Sequence, residues 1–137
     1  MSERRVDVFF YGLFMDSSIL QEQQVQPTNA RRGYVEGYAL RIARRAVLVP
    51  RAEARAYGVV FGLTPGELDR LYSAPGLEPY RPEPVVVRVP EGKTVPALCY
   101  NIPVEPPPEE CNAEYAARLR AVIAKLGFPQ EYVQSIT

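Results

Sequence analysis

Residues 56–71, with the sequence AYGVVFGLTPGELDRL, contain the strand-to-helix signal on which the fold prediction rests. Apolar residues alternate as in a β-strand up to Leu63, and two glycines share one strand face, which indicates a close approach by another part of the chain. Thr64 and Glu67 then form a capping box with a proline at the first helical position. The stretch therefore predicts a strand followed by a short helix from Pro65 to about Tyr72.

Short strands and helices are predicted on both sides of this stretch. The strand-length apolar segments are Val6–Tyr11, Arg32–Ala43, Ala46–Pro50, Pro84–Val89 and Lys93–Asn101, in addition to Ala56–Leu63. The helical segments run from Ser17 to Gln24, from Asn112 to Gly127 and from Pro129 to about Ser135. Because no repeat or linker divides the sequence, we expect one α+β domain over residues 1–137 with about six strands.

Composition excludes several classes of function. The 137 residues include no histidine, which removes imidazole general bases, Ser-His-Asp triads and His-ligated metals. Sixteen Lys and Arg balance sixteen Asp and Glu, so neither nucleic acid nor a membrane surface is expected as a partner. Two cysteines without a CxxC motif, and no signal-peptide core, favour a soluble cytoplasmic protein.

The segment Tyr-Gly-Leu-Phe-Met at residues 11–15 is the first candidate binding site. A strand ends there in a glycine turn, and Asp16 and the serines after it can cap a helix. Unpaired backbone N–H groups beside a helix N-terminus can hold a carboxylate without a cationic side chain. The same pattern is also typical of a purely structural turn, so the residues alone leave both interpretations open.

Six segments in this order resemble the gamma-glutamylcyclotransferase-like (AIG2-like) family. They are YGLFM at 11–15, VEGYALRI at 35–42, the stretch at 56–71, YRPEPVVVRV at 80–89, PALCYN at 96–101 and NAEYAARLRAVIAKLGFPQEYV at 112–133. The resemblance extends from about Val6 to Val133, nearly the whole chain. It implies a small mixed β-barrel flanked by short helices.

The resemblance also implies a reaction. The loop amides would hold the α-carboxylate and the amine of a γ-glutamyl group, whose amine attacks its own γ-carbonyl. That attack gives 5-oxoproline and releases an amine or amino acid, as a transferase or lyase, with no cofactor or metal. We therefore expect a small γ-glutamyl or amino-acid-like ligand on a monomer or homodimer. The loop residues that would bind this ligand are Tyr11, Gly12, Leu13, Phe14 and Met15.

This sequence departs from the family pattern at two positions. Leu13 replaces the loop serine, and Tyr72 replaces the glutamate of the LDxxEG pattern that serves as general acid/base. A phenol with a pKa of about 10 is a poor base at pH 7, and general acid/base assistance contributes about 10² to 10⁴ in rate. The alternatives are therefore an enzyme with a substitute base, a catalytically inactive binding protein, or a scaffold.

Glu78 is the tentative catalytic substitute, because it lies in the same helix-to-strand loop, two residues before Tyr80. An acid in such a loop is more often simply exposed. Asp69 is a weaker candidate, because its position in the capped helix beside Arg70 is usually solvent-facing, and Glu36 and Glu53 on or near strands could point either way.

Nine tyrosines indicate a phenol-lined pocket. Under the family resemblance, several of them fall at strand ends or in loops at the barrel mouth: Tyr11, Tyr57, Tyr72, Tyr80 and Tyr100. Phenols bind small polar ligands by hydrogen bonds at low entropic cost. We expect Tyr11, Tyr72 and Tyr80 to contact the ligand, although each tyrosine could instead be a core residue.

Overall fold

The computed structural model describes residues 4–136, in which five strands close into a barrel. The strands are β1 (Val6–Phe10), β2 (Thr28–Ile42), β3 (Ala46–Leu63), β4 (Arg81–Arg88) and β5 (Thr94–Asn101). The helices are α1 (Ser17–Glu22), α2 (Pro65–Tyr72), α3 (Ala113–Lys125) and α4 (Gln130–Ser135), with 3₁₀ turns at Leu13–Met15 and Pro90–Gly92. None of the helices in this described range has the length and apolar character that crossing a membrane requires.

The barrel is mixed, as the family resemblance implies. Its strands follow the order β1-β3-β2-β4-β5, after which β5 returns to β1. The β1–β5 pair is parallel, and the other four pairs are antiparallel. The predicted α+β class and the small mixed barrel are therefore confirmed.

The barrel has five strands because two of the predicted segments, Ala46–Pro50 and Ala56–Leu63, belong to one strand, β3. The intervening residues 51–54 are mostly exposed and remain part of the strand, with Glu53 in the left-handed region at a φ of 66°. They oppose the single residue Gly37 of β2, where the pairing register shifts. A β-bulge of this kind keeps the strand continuous while bending it.

The capping box at the start of α2 forms as predicted. Thr64 accepts the N–H of Glu67, and the Glu67 carboxylate accepts the N–H of Thr64 at 2.9 Å. The same buried carboxylate accepts the N–H of Gln26 at 2.8 Å and lies 3.4 Å from the Arg5 guanidinium. Burial alone would raise the pKa of Glu67, but these hydrogen bonds and Arg5 outweigh it and lower the pKa.

Helices α1 and α3 are also capped by side chains. Asp16 accepts the N–H of Ser18 at 3.0 Å, and Asn112 accepts the N–H of Tyr115 at 3.0 Å. The apolar positions along one face of α3 are buried at Leu119, Val122 and Ile123. Side-chain capping and a buried apolar stripe thus place α3 against the barrel.

We expect Glu67→Gln to lower the free energy of unfolding by about 1–3 kcal/mol at pH 7, because a buried carboxylate that accepts several N–H groups is lost. A depressed folded pKa stabilises the protein above the unfolded value of about 4.3, and this contribution is lost as pH falls through the folded pKa. Urea unfolding at pH 7 and pH 3 should therefore show a smaller difference from wild type at pH 3.

The exposed Glu109 supplies the control, since Glu109→Gln should leave the unfolding free energy unchanged at both pH values. A Glu67→Gln difference that is the same at pH 3 as at pH 7 would contradict the role assigned to the carboxylate charge.

Candidate functional site

A cavity of about 210 Å³ lies at the barrel mouth, where β1 ends. Residues 11–14 of the predicted binding loop line this cavity. Met15, the last residue of the loop, is buried in the core and does not line the cavity. Five tyrosines from different elements meet there: Tyr11, Tyr72, Tyr80, Tyr100 and Tyr115. The structure thus brings together Tyr11, Tyr72 and Tyr80 with the loop.

Tyr72, for which the sequence resemblance implies correspondence to the family glutamate, lies at the end of α2 inside an aromatic cluster. Its ring stacks on that of Tyr100 with centroids 3.9 Å apart and planes within 10°. Phe14 meets it edge to face at 6.2 Å. Burial raises the pKa of Tyr72 well above its usual value, and the neighbouring Cys99 thiol and phenols raise it further. Tyr72 is therefore a neutral phenol at physiological pH.

Two other phenols are held by backbone carbonyls. The Tyr11 hydroxyl donates to the carbonyl oxygen of Tyr100 at 2.9 Å, and the Tyr80 hydroxyl donates to that of Ala46 at 2.7 Å. Burial raises the pKa of both groups. Both tyrosines are therefore fixed in orientation, and each presents a neutral oxygen that can still accept a hydrogen bond.

Tyr115, at the start of α3, is a site residue that sequence reasoning missed. Its hydroxyl accepts the N–H of Leu13 at 3.2 Å, and a Cβ built on Gly12 would lie 2.6 Å from that hydroxyl. The N–H of Met15 is also used, because it donates to the Gly12 carbonyl at 3.0 Å. The protein itself therefore occupies two of the four loop amides expected to hold a carboxylate. Tyr115 lies on the apolar face of α3, where helical spacing is typical of a core residue and gives no signal of this contact.

Two arginines, Arg45 and Arg118, supply positive charge to the cavity wall. Arg45 belongs to the turn between β2 and β3, and Arg118 to α3. The Arg45 guanidinium lies over Gly76, where a Cβ would be 2.7 Å from its Nη2 atom. Neither arginine was a sequence candidate, because surface arginines are usually solvated and only the fold brings these two to the cavity.

Glu78 lies outside this cavity. It lines a neighbouring cleft of about 810 Å³, where its exposed carboxylate accepts the N–H of Gly76 at 3.0 Å. The cleft and the cavity adjoin, because four residues line both: Arg45, Tyr80, Tyr115 and Arg118. Asp69, Glu36 and Glu53 line neither space. Among residues 4–136, no aspartate or glutamate lines the 210 Å³ cavity.

The remaining titratable groups give no metal centre. Within the described range there is no cluster of three or more His, Cys, Asp or Glu side chains arranged to hold a metal ion. Cys99 is buried, and Cys111 is exposed, as free thiols. Burial raises the pKa of the Cys99 thiol, so it is protonated and unsuited to nucleophilic attack.

Residues 8–118 match the sequence model of the family described as "Gamma-glutamyl cyclotransferase, AIG2-like". The chain belongs to this family. A search among curated protein sequences finds no match.

Solved structures agree with the AIG2-like fold at low sequence identity. One, described as a gamma-glutamyl cyclotransferase, is 17% identical with a TM-score of 0.76 over 98% of this chain and 89% of its own. An uncharacterized Homo sapiens protein is 18% identical with the same TM-score and coverage. An AIG2-like protein from Mus musculus is 18% identical, with a TM-score of 0.62 over 82% of this chain and 91% of its own. At such identities these likenesses show the shared fold.

The loop of this AIG2-like barrel offers a steric test. We expect Gly12→Ala to lower the free energy of unfolding by about 1–3 kcal/mol, because its methyl group would collide with the Tyr115 hydroxyl. The φ of Gly12 is −109°, which alanine adopts freely, so the cost is steric. In a Tyr115→Phe background the same substitution should cost clearly less. Urea unfolding of the two single variants and the double variant measures this coupling.

Gly66→Ala is the matched control, since a Cβ there meets no atom within 4 Å. Its effect should be small and the same in both backgrounds. Equal Gly12→Ala losses with and without the Tyr115 hydroxyl would rule out the proposed contact.

Proposed function

We propose that this chain binds a small carboxylate-bearing molecule of the γ-glutamyl or amino-acid-like class in the 210 Å³ cavity and does not convert it to 5-oxoproline. One observation carries this proposal: the cavity wall in the described part of the chain contains no aspartate or glutamate. The family resemblance places the acid/base at position 72, where this chain has the partly buried phenol of Tyr72.

The chemistry of cyclisation explains why that substitution matters. The attacking nitrogen must lose a proton before it can form a bond to the γ-carbonyl carbon, and the leaving nitrogen must gain one. A carboxylate can carry this proton, whereas Tyr72 holds its own because burial raises its pKa. Loss of general acid/base assistance costs about 10² to 10⁴ in rate.

The features needed for binding are nevertheless present. Arg45 and Arg118 can pair with a carboxylate, and phenols surround the space where the rest of a small molecule would lie. Tyr11 and Tyr80 are held rigidly by backbone carbonyls, so little conformational entropy is lost when a ligand binds. These features support a binding role over a purely structural one.

A second candidate is a cyclotransferase in which Glu78 acts as the base. The observation in its favour is that the cleft lined by Glu78 adjoins the cavity through Arg45 and Tyr80. A substrate that spans both spaces could bring its amine within reach of the Glu78 carboxylate.

Release of 5-oxoproline separates the two candidates. Wild-type protein incubated with γ-glutamyl amino acids and γ-glutamyl-ε-lysine should release no 5-oxoproline above the uncatalysed rate. If the wild-type protein does release 5-oxoproline, the second candidate predicts that Glu78→Gln abolishes this release. Glu105→Gln is the matched control. Glu105 lines the same 810 Å³ cleft as Glu78 but lies outside the loop between α2 and β4 that contains Glu78.

Ligand-dependent thermal stability tests binding itself. A ligand that binds only the folded state stabilises it by RT ln(1 + [L]/Kd), so 5-oxoproline or a γ-glutamyl amino acid at 100 times its Kd should add about 2.7 kcal/mol. Gly12→Leu should weaken this effect, because a larger side chain would fill the loop wall of the cavity. Absence of stabilisation by every compound would reject the binding proposal and favour a scaffold.

A further inference from the structure

A groove of about 460 Å³ lies where the β2–β3 hairpin, the β4–β5 turn and the segment after α3 meet. No residue of this groove lines the barrel-mouth cavity or the cleft beside it. Three half-buried rings line the groove, those of Tyr34, Tyr57 and Phe128. The Tyr57 ring lies between the other two, with its centroid 5.5 Å from that of Tyr34 and 5.8 Å from that of Phe128. The Arg55 guanidinium lies over the Tyr34 ring, 4.5 Å from its centroid. We call this surface the aromatic groove.

Positive charge lies at the rim of the aromatic groove. Arg32 and Arg88 line it together with one acid, Glu91. Arg88 pairs with Glu36, whereas Arg32 forms no ion pair among residues 4–136. An occupant that suits this groove therefore combines groups that pack on aromatic rings with a negative charge that can lie beside Arg32.

A polyproline II segment has this chemistry. Proline rings pack against aromatic side chains, and grooves lined by such side chains are a recurring way in which proteins bind proline-rich segments. The backbone carbonyls of a polyproline II helix form no internal hydrogen bonds, so they can accept the hydroxyls of Tyr34 and Tyr57. Because proline already fixes φ, little conformational entropy is lost on binding.

The chain itself displays a proline-rich segment, residues 103–108 with the sequence PVEPPP, between β5 and α3. Arg41 holds this segment by donating to two of its carbonyl oxygens, one of them that of Pro106 at 2.6 Å. Every residue of the segment except Pro106 is exposed, and Val104 is 75% exposed. The segment also carries one acid, Glu105. It therefore presents apolar side chains and a negative charge to solvent while its backbone is held in place.

We propose that the aromatic groove binds the proline-rich segment of a second copy of this chain, so that the protein self-associates. Prolines and Val104 would pack on the three rings, and Glu105 would lie beside Arg32. The groove and the segment share no residue, so one copy can offer both surfaces at once. This inference goes beyond the proposed ligand binding and does not depend on it.

A synthetic peptide of residues 102–110 with blocked ends tests the groove directly, by calorimetric titration into the wild-type protein. We expect this peptide to bind, and the same peptide with its four prolines replaced by serine to bind about tenfold or more weakly. Raising the salt concentration from about 50 to about 500 mM should weaken binding about threefold, because the contact between Arg32 and Glu105 is screened.

Sedimentation equilibrium over a range of protein concentrations measures the self-association. Arg32→Glu should weaken both self-association and peptide binding about tenfold, because it places two like charges side by side. Val104→Ser should weaken self-association about tenfold but leave binding of the unmodified peptide unchanged, because the groove of that variant is intact. Arg4→Glu is the matched control and should change neither, since Arg4 is exposed and lies outside the groove.

Two results would overturn the proposal at the groove: no binding of the peptide, or equal binding of the proline and serine peptides. If the peptide binds but the wild-type protein stays monomeric up to about 1 mM, a second copy is excluded as the occupant, and the groove instead suits a proline-rich segment of another protein. Because both peptides are titrated into wild-type protein, a variant that does not fold leaves this decision intact.

Discussion

The barrel closes where two glycines, Gly33 of β2 and Gly58 of β3, face each other across the long hairpin. A Cβ at Gly58 would lie 2.2 Å from the carbonyl oxygen of Phe10 in β1, and a Cβ at Gly33 would lie 2.5 Å from that of Arg88 in β4. Neither contact is possible for a residue with a side chain. Because β1 and β4 approach the hairpin at these glycines, the close packing of the barrel strands depends on this absence of side chains.

The cavity wall is assembled from parts of the chain that are far apart in sequence, and a buried amide helps to hold them in place. The Asn101 side chain donates to the carbonyl oxygen of Leu48 at 2.9 Å and accepts the Leu48 N–H at 3.0 Å. It also accepts the Tyr11 hydroxyl at 3.2 Å. Strands β3 and β5 are not neighbours in the barrel, so this contact connects them directly beside the end of β1. Satisfied buried polar groups of this kind favour one arrangement over its alternatives.

Sequence reasoning succeeded where the signal was local. The capping box at Thr64 was predicted from two residues three positions apart. The loop at 11–15 was predicted from a strand that ends at a glycine. The bulge at 51–54 was not predicted, because its exposed residues carry no apolar pattern that would mark the strand as continuous. Tyr115 and Arg45 were missed because their roles arise only when α3 and the hairpin turn meet the loop. The family resemblance supplied the barrel, which periodicity alone does not specify.

The barrel's hydrogen bonding also indicates an order of assembly. In the described chain β2 pairs with β4 through Tyr34 and Arg88, and β1 pairs with β5 through Val8 and Leu98, whereas the two hairpins pair along most of their lengths. Contacts between residues close in sequence form at lower entropic cost, so each hairpin can form before the seams close. The exposed prolines Pro82 and Pro84 lack N–H donors, so a β4 edge uncovered during assembly is a poor template for a foreign strand. These two prolines would thereby lower the tendency of the folding chain to aggregate.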